Sequence, residues 1–574
     1  MPETNREAAR LFERIADALE LKGETGFRVL AYRKAARVLD ETTEDLRELN
    51  RDDRLSDLTG IGDALRKKIS EFLATGKMAK YDEAIAGLPA GLFDLLEIQG
   101  LGPKTVKLVY DELGVTDAVG LKKSIDDGSF ARLPGMGTKK ATRILQGLRT
   151  GEVTTQRMYL VEAFAVAQSL IDWLAALPGV KHLQFAGSLR RGKETVGDID
   201  ILITGPEPAR AIERFRSHPR LQELMSAGET KTSGLFHGQY LRQVDLRVLD
   251  DSSYGAALQY FTGSKEHNVA LRAMAQQKGL KLSEYGLFKD ERRVAGRAEA
   301  GIYKRLGLAY IEPELREDRG ELAAAAEGRL PSLVQLSDIR ADLHVHTGNS
   351  DGTASMSEMA EAARKLSYTH IAVADHSRSA HYAGGLSQDD LLRHCDAVDR
   401  FNRRSRGLRV LKANEVDITP SGELDYPDEV LARLDFVIAS VHQAFKKDVT
   451  RRICGALQHP LVHAVAHPTG RLIGKREGYD VDVEAVIDCA ARNGKALEIN
   501  SFYARLDLSD IWARTAAAAG ALLCINTDAH STDEMSWMKF GVLTARRAWL
   551  EPRHVLNCLT CDRLLAKLKK MRAG

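Results

Sequence analysis

Apolar residues in positions 1–150 recur at i, i+3 and i+4 with few β-branched runs, a spacing that predicts helices each burying one stripe. From 155 to 250 the period changes. Residues 159–177 keep the helical spacing, whereas 182–186, 199–203 and 239–248 read as strands. Beyond 338, short apolar β runs return, among them Ile371-Ala372-Val373-Ala374 and Leu434-Asp435-Phe436-Val437-Ile438-Ala439. Between these parts, Gly320-Glu321-Leu322-Ala323-Ala324-Ala325-Ala326-Glu327-Gly328-Arg329-Leu330-Pro331 reads as a short helix and linker. No apolar run reaches the roughly 18 residues of a membrane span, so no transmembrane helix is predicted.

Composition narrows the class. At 574 residues, with 44 % hydrophobic and 28 % charged, the chain has room for roughly three to five domains, each able to bury a core. The net charge of +2 gives no bulk electrostatic footprint for nucleic acid, and positions 1–150 balance 25 basic against 25 acidic residues. If that region binds DNA, local geometry must do it. Six cysteines do not make a disulfide framework in so long a chain. Cys558 and Cys561 form one Cys-x-x-Cys without a second ligand pair, so reduced thiols are the simpler reading than zinc. The N-terminal Met1-Pro2-Glu3-Thr4-Asn5-Arg6-Glu7 lacks a signal-peptide apolar core, which points to the cytoplasm.

A repeat in the helical region supplies the local geometry. Leu58-Thr59-Gly60-Ile61-Gly62, Ile98-Gln99-Gly100-Leu101-Gly102 and Leu133-Pro134-Gly135-Met136-Gly137 each lead into a helix carrying Lys or Arg. The free N–H groups of such a helix start can hold a backbone phosphate without reading bases. These units resemble helix-hairpin-helix motifs, with Gly60, Gly62, Gly100, Gly102, Gly135 and Gly137 at the DNA. A purely structural αα-hairpin is the plain alternative for any single copy.

The middle of the chain carries Gly187-Ser188-Leu189-Arg190-Arg191-Gly192, then Gly197-Asp198-Ile199-Asp200-Ile201, then Gln243-Val244-Asp245-Leu246-Arg247. In a strand, Asp-x-Asp places both carboxylates on one face. Such a pair repels unless a divalent cation lies between, and Asp245 on a neighbouring apolar strand completes a three-carboxylate, two-metal site. The Gly-Ser turn offers N–H groups and a hydroxyl suited to phosphate. The acceptor of the implied nucleotidyl transfer is open on these residues alone.

Histidine is distributed unevenly, with four of the sixteen before residue 338 and twelve after it. The later part contains Asp342-Leu343-His344-Val345-His346-Thr347, Ser350-Asp351-Gly352, Asp375-His376-Ser377, Asn414-Glu415-Val416-Asp417, Ser440-Val441-His442, His467-Pro468-Thr469 and Thr527-Asp528-Ala529-His530. Several follow apolar β runs. Ligands at the C-terminal ends of successive parallel strands are what a β/α barrel offers. A lone strand-end histidine is usually a satisfied core residue, but an ordered series of such sites points to metal.

Taken with Tyr260-Phe261-Thr262-Gly263-Ser264, the middle motifs resemble the palm of family X DNA polymerases such as polymerase beta. The resemblance runs on through Asn268 and Arg272 to Tyr310-Ile311-Glu312-Pro313-Glu314-Leu315-Arg316. It implies two Mg²⁺ or Mn²⁺ ions on Asp198, Asp200 and Asp245, with Gly187, Ser188, Arg191 and Gly197 at the β and γ phosphates. It places Tyr260, Phe261 and Gly263 at the sugar, Asn268 on the minor-groove side of the new pair and Arg272 at the template. Two positions depart from the family: Gln243 and Ile311 stand where arginines are usual. Ala31-Tyr32-Arg33-Lys34-Ala35-Ala36 and Glu71-Phe72-Leu73-Ala74-Thr75-Gly76-Lys77 resemble the polymerase beta lyase domain. Lys68 aligns with its Schiff-base lysine, but Ala64 replaces a neighbouring phosphate-binding lysine, which favours 5′-phosphate binding over lyase chemistry.

The histidine-rich part resembles the polymerase and histidinol phosphatase (PHP) domain, a distorted (β/α)₇ barrel with a trinuclear metal centre. All nine usual ligands match: His344, His346, Asp351, His376, Glu415, His442, His467, Asp528 and His530. Imidazole and carboxylate ligands suit Mn, Zn or Fe, up to three ions, rather than Mg alone. Arg471 and Lys475 are candidates for binding the scissile or adjacent phosphate.

The chain is thus identified as a member of the bacterial family X DNA polymerases, a multidomain α+β and α/β protein. The expected order is a lyase-like helical domain over 1–85, a helix-hairpin-helix subdomain over 86–155 and a nucleotidyltransferase palm over 156–262. A nucleotide-binding subdomain over 263–318, a linker over 319–337 and the PHP module over 338–574 follow. The resemblance implies short-gap filling from dNTPs on gapped or nicked DNA and DNA ends, by a monomer without membrane contact. It also implies a 3′-5′ exonuclease, with abasic-site endonuclease or 3′ phosphoesterase activity as further uses of the PHP module. Competing readings are a DNA-end nuclease with weak polymerisation (Gln243 being its one hint), a non-catalytic DNA-end scaffold, and a small-phosphoester phosphatase.

Overall fold

The computed structural model describes residues 3–24, 26–42, 44–58, 60–96, 98, 101–137, 140–141, 144, 157–238 and 241–573. The chain forms two compact units, Met1–Arg157 and Met158–Gly574.

The first unit is helical, as the apolar spacing predicts. Helices Glu3–Leu21, Phe27–Glu41, Asp63–Thr75 and Pro103–Leu113, with shorter ones between them, bury Phe12, Ile15, Leu39, Ile69, Leu92, Leu121 and Phe130 in one core. Arg33, in the lyase-like motif, is bonded to Glu13, Asp17 and Glu20, so it ties the first helix to the second. The hairpin repeat is a repeat of backbone geometry. Ile61 N–H donates to Leu58 O at 3.2 Å, Leu101 N–H to Ile98 O at 3.0 Å and Met136 N–H to Leu133 O at 2.9 Å. The second glycine of each copy then accepts the first helical bonds: Arg66 N–H reaches Gly62 O, Val106 N–H reaches Gly102 O and Ala141 N–H reaches Gly137 O. Gly60 sits at φ +95°, a backbone conformation that favours glycine. Gly100 lies outside the described residues.

The second unit begins with a five-stranded palm sheet. Its order is His182–Phe185, Ile199–Thr204, Leu241–Leu249, Lys231–His237 and Leu221–Ala227. The helix expected over 159–177 runs Leu160–Ala175. The strand expected over 239–248 runs Leu241–Leu249, its first two residues lying outside the described set. Strands Leu221–Ala227 and Lys231–His237 are additions that sequence reading did not predict; they extend the sheet antiparallel beyond Leu241–Leu249. Next come helices Tyr254–Thr262 and Lys265–Gln277, a three-stranded antiparallel sheet (Lys281–Ser283, Gly286–Lys289, Arg292–Ala295) and helix Glu299–Arg305. They pack around Leu271, Leu287, Ile302, Tyr303 and Ile311.

The stretch 319–337 is packed rather than free. Helix Glu321–Ala326 starts it, and Glu321 is fully buried against His267 Nδ1 at 2.7 Å. Farther on, Val334 N–H donates to Leu550 O at 2.9 Å.

Seven parallel strands follow in sequential order: Ala341–Val345, His370–Val373, Arg409–Asp417, Phe436–Ser440, Ala464–Val465, Ala496–Asn500 and Leu522–Asn526. A parallel bridge between Val345 and Ala529 brings the first and last strands together, with His346 N–H on Ala529 O at 2.8 Å and Asp528 N–H on His344 O at 3.0 Å. The strands read as continuous apolar runs because both faces are covered. This is the expected nearly closed (β/α)₇ barrel. Palm and barrel share a core, since Leu506 and Phe540 of the barrel pack with Leu160, Val166 and Leu189 of the palm.

Candidate functional site

All nine histidine, aspartate and glutamate positions singled out beyond residue 338 converge at the C-terminal ends of the barrel strands. His346, Asp351, His376 and His530 form one group whose ligand atoms lie within 4.8 Å of one another. His344, His346 and Asp528 form a second, and His376, Glu415 and His442 a third. His467 joins through Glu415, with Nε2 3.1 Å from Oε1. Shared members make the three groups one continuous cluster. Glu415 is 1 % exposed and stands at its centre, 2.8 Å from His376 Nδ1, 3.4 Å from His442 Nε2 and 3.6 Å from His344 Nε2.

A second layer of side chains fixes the imidazoles. Asp417 Oδ1 lies 2.7 Å from His442 Nδ1, and Glu498 Oε1 lies 2.8 Å from His344 Nδ1. Glu498 is itself held by Asn500 and Asn526. Asp375 accepts from the amide and hydroxyl of Thr347, steadying the turn after His346. Partners of this kind set the tautomer and orientation of metal-binding histidines. Sequence reading missed Glu498 and Asn500, although Leu497-Glu498-Ile499-Asn500 shows the same period-2 alternation as the other strands.

The electrostatics fit cations. Burial opposes charge on His376, His442 and His530, yet the carboxylates around them outweigh it and push His376 up to about 10 and the other two to about 9. His346, which burial and neighbouring histidines discharge, drops to about 4. His346 Nδ1 and His467 Nδ1 are buried with no hydrogen-bond partner among the described residues. Buried imidazole nitrogens of that sort are unfavourable unless a cation takes the lone pair. The donor set therefore fits bound metal.

The phosphate role expected of Arg471 is not what its contacts favour. Its Nη2 donates to Glu194 of the palm at 2.7 Å and to Leu506 O, and its Nε to Arg505 O at 2.9 Å, so it braces barrel against palm. Lys475 is exposed. Arg505 is a cation that sequence reading did not weigh. Its Nη1 is buried without a hydrogen-bond partner among the described residues, and its charge acts on Tyr382, whose ring centre lies 6.4 Å from His376 and 6.3 Å from His442.

In the palm, Asp200 and Asp245 are directly opposite on parallel neighbours, Ile199–Thr204 and Leu241–Leu249. Asp198 stands exposed two residues earlier. Burial first, then the charges of Asp198 and Asp245, push Asp200 up to about 7. Asp245 has local support: Gln243 Nε2 donates to Oδ1 at 2.7 Å and Lys231 Nζ lies 2.9 Å from Oδ2. Burial works against its charge, but these bonds outweigh it and hold the carboxyl below its usual range. Lys231 is a residue that sequence reading missed. It comes from the antiparallel strand Lys231–His237 and places a cation beside the aspartate that Gln243 flanks.

Gly187 sits at φ +65° with Asp200 Oδ2 3.3 Å from where its Cβ would be, so the turn and the carboxylates are adjacent. Gly197 is exposed in the same loop, and Ser188 is half-buried in the short helix Gly187–Arg190. Arg191 Nε donates to Glu317 at 3.0 Å and Nη1 to Thr262 O. The Cβ that Gly263 lacks would lie 3.1 Å from the same Nη1. Tyr260 and Phe261 end the helix Tyr254–Thr262, edge to face at 5.1 Å. Asn268 Nδ2 donates to Tyr260 O at 2.7 Å and Arg272 Nε to Asn268 O at 3.2 Å. In the helical unit, Lys68 is half-buried and its Nζ donates to Ala64 O at 2.8 Å.

Fold and sites together define a DNA polymerase core of the beta type joined to a metal-binding PHP barrel. Family models match in the same order: a helix-hairpin-helix domain over 3–78, a SAM-like helix-hairpin-helix tandem over 92–150, the DNA polymerase beta palm over 160–246, the DNA polymerase beta thumb over 257–317 and a PHP domain over 342–502. The chain is 37 % identical over 570 residues to the DNA polymerase/3′-5′ exonuclease PolX of Bacillus subtilis (strain 168), covering 98 % of this chain and 99 % of that protein. It belongs to that family, the bacterial family X DNA polymerases with a C-terminal PHP domain. It is also 26 % identical over 359 residues to DNA polymerase lambda of Arabidopsis thaliana and 29 % over 337 residues to that of Rattus norvegicus. Those matches span 62 % and 55 % of the relatives.

Proposed function

We propose that this chain is a gap-filling DNA repair polymerase that adds deoxynucleotides in its palm and trims 3′ ends in its barrel. The observation that carries this reading is the pairing, within one compact unit, of the facing Asp200 and Asp245 with a nine-residue cluster of metal-ligand type. Asp198, Asp200 and Asp245 would hold two Mg²⁺ or Mn²⁺ ions. The nine barrel residues would hold up to three ions of Mn²⁺, Zn²⁺ or Fe²⁺. When bound, such cations lower the pKa of the attacking oxygen and neutralise charge on the phosphoryl and leaving oxygens.

The chain's own groups do the positioning. The turn at Gly187, Ser188 and Gly197 presents N–H and hydroxyl donors to the triphosphate, and Arg191 adds a guanidinium beside it. Tyr260, Phe261 and Gly263 border the sugar, with Asn268 and Arg272 beyond them at the base pair and template. The repeated hairpin turns grip the DNA backbone through helix-start N–H groups, and Lys68 holds the 5′-phosphate of a gap. In the barrel, Asp417 and Glu498 keep His442 and His344 oriented, and Arg505 faces the phosphodiester. The substrates are gapped or nicked duplexes and DNA ends, with dNTPs. Nuclease action extends to abasic sites and blocked 3′ termini. The protein acts as a monomer at the nucleoid.

Product analysis on an end-labelled duplex with a one-nucleotide gap, with and without dNTPs, in Mg²⁺ or Mn²⁺, tests this. Asp198→Ala should end extension and keep 3′ shortening, while the double variant His344→Ala/His346→Ala should do the reverse. Equal loss of both activities in either variant, with folding intact, would contradict two independent sites.

A further inference from the structure

The loop assigned to the triphosphate is held from outside the palm. Arg191 shares its partner Glu317 with Arg547, the last residue of the barrel helix Met538–Arg547. Arg547 Nη1 lies 2.8 Å from the same Oε1 that accepts from Arg191. It also donates to the backbone carbonyl of Arg191 at 2.9 Å. Its Nη2 is anchored on Asp510 at 2.8 Å, where Arg319 also binds at 2.9 Å. One turn back on the helix, Leu543 Cβ lies 3.1 Å from where a Cβ on Gly192 would be, so the helix touches the end of the Gly-Ser loop as well. Arg547 is 4 % exposed, and these bonds go to none of the nine barrel ligands.

We propose that Arg547 is a positioning residue for the polymerase reaction: a side chain of the nuclease barrel sets how freely Arg191 can turn to the triphosphate. The inference rests on the assignment of Arg191 to the triphosphate made above. A carboxylate divided between two guanidiniums holds each less tightly than one committed to a single partner. With Arg547 in place, Glu317 orients Arg191 without monopolising it, and the bond to the Arg191 carbonyl fixes the backbone of the loop. Without Arg547, Glu317 is left to Arg191 and to the nearby charge of Lys193, holds Arg191 more tightly and competes with the incoming anion. The cost falls on nucleotide binding rather than on the chemical step, because neither Glu317 nor Arg547 touches the reacting atoms.

The test is gap filling by the full-length protein against dNTP concentration, with 3′ shortening and thermal unfolding measured on the same samples. Arg547→Ala should raise the KM for dNTP about tenfold while kcat changes less than about twofold. The exonuclease rate of the folded protein should stay at the wild-type value, the unfolding temperature should fall because Glu317 and Asp510 lose a buried partner, and Arg547→Lys should recover most of the KM. Arg191→Ala serves as the control. A raised KM in Arg191→Ala with an unchanged KM in Arg547→Ala overturns the inference and leaves the role of Arg191 standing. An unchanged KM in Arg191→Ala overturns that role itself. If Arg547→Ala unfolds, Arg547→Gln keeps most of the side-chain shape while removing the charge that shares Glu317; a raised KM there supports the inference and an unchanged one overturns it.

Discussion

The two candidate metal centres are built on opposite plans. In the barrel, nine residues of metal-ligand type gather at strand ends in one mostly buried cluster, and Asp417 and Glu498 orient His442 and His344 before any cation arrives. In the palm, three carboxylates come from two strands and the approach to one of them; Asp198 is exposed and Asp245 is occupied by Lys231 and Gln243. The barrel is preorganised by its own side chains, whereas the palm centre is completed by what it binds. Dense imidazole ligation suits a resident metal. A sparse carboxylate pair suits ions that arrive with a triphosphate. A single chain can thus hold a permanently assembled hydrolytic site beside a synthetic site assembled at each turnover.

The strongest way to break that contrast is to strip the barrel. His344→Ala/His346→Ala should lower exonuclease activity on the order of 10³-fold or more, with polymerisation within a few-fold of wild type. Loss of both in a folded protein would show the sites to be one.

The next effect falls on stability and pH. Glu299 joins Arg190 and Arg316 by charge-assisted bonds of 2.6 to 2.9 Å, and these pairs outweigh burial to hold its carboxyl down at about 2. A depressed carboxylate pKa stabilises the fold above its unfolded value of about 4.5, and that gain is lost as pH falls toward 2. Relative to Glu299→Gln, wild type should be about 3 kcal/mol more stable at pH 7. The gap should close progressively below about pH 4.5 in chemical unfolding. A gap that does not depend on pH would remove the ion pairs as its cause.

A smaller change sharpens the preorganisation argument. Glu498→Gln keeps the shape beside His344 but removes the charge, and should weaken metal binding and exonuclease rate about 10- to 100-fold. Excess metal should rescue the rate in part. An unchanged metal titration would mean that His344 needs no such partner.

The smallest effect expected is at Lys231. Lys231→Met should slow nucleotide addition about three- to tenfold, and Lys231→Arg should restore it, with 3′ shortening unaffected throughout. Faster addition would show that Lys231 competes with the cation for Asp245 instead of orienting it.

Much of this was legible in the chain, and unevenly so. The barrel ligands could be read one by one because each lies at the end of an apolar run, and a strand exposes its period-2 pattern locally. The hairpin units were legible for the same reason, since glycine spacing encodes a turn whose bonds span only three residues. The palm was half legible. Its parallel strands carry the motif, but Leu221–Ala227 and Lys231–His237 went unseen because the first is half-exposed and the second opens on Lys-Thr-Ser-Gly, so neither shows a sharp apolar signature. Arg471 shows the opposite failure. Its place after His467-Pro468 suggested phosphate, whereas its actual partner is Glu194, 277 positions away.

By itself, then, the sequence determined most of the elements, the order of the modules and the nine residues that gather in the barrel cluster, because those depend on periodicity and on residue chemistry within a few positions. Only the tertiary structure decided which distant charges meet. Lys231 reaches Asp245 through an antiparallel register, Glu498 supports His344 across the barrel, Arg471 meets Glu194 of the palm, and Arg547 shares Glu317 with Arg191. Such pairings arise when packing brings remote segments into contact, and no local pattern records them, so the network that tunes each site became visible only in the folded chain.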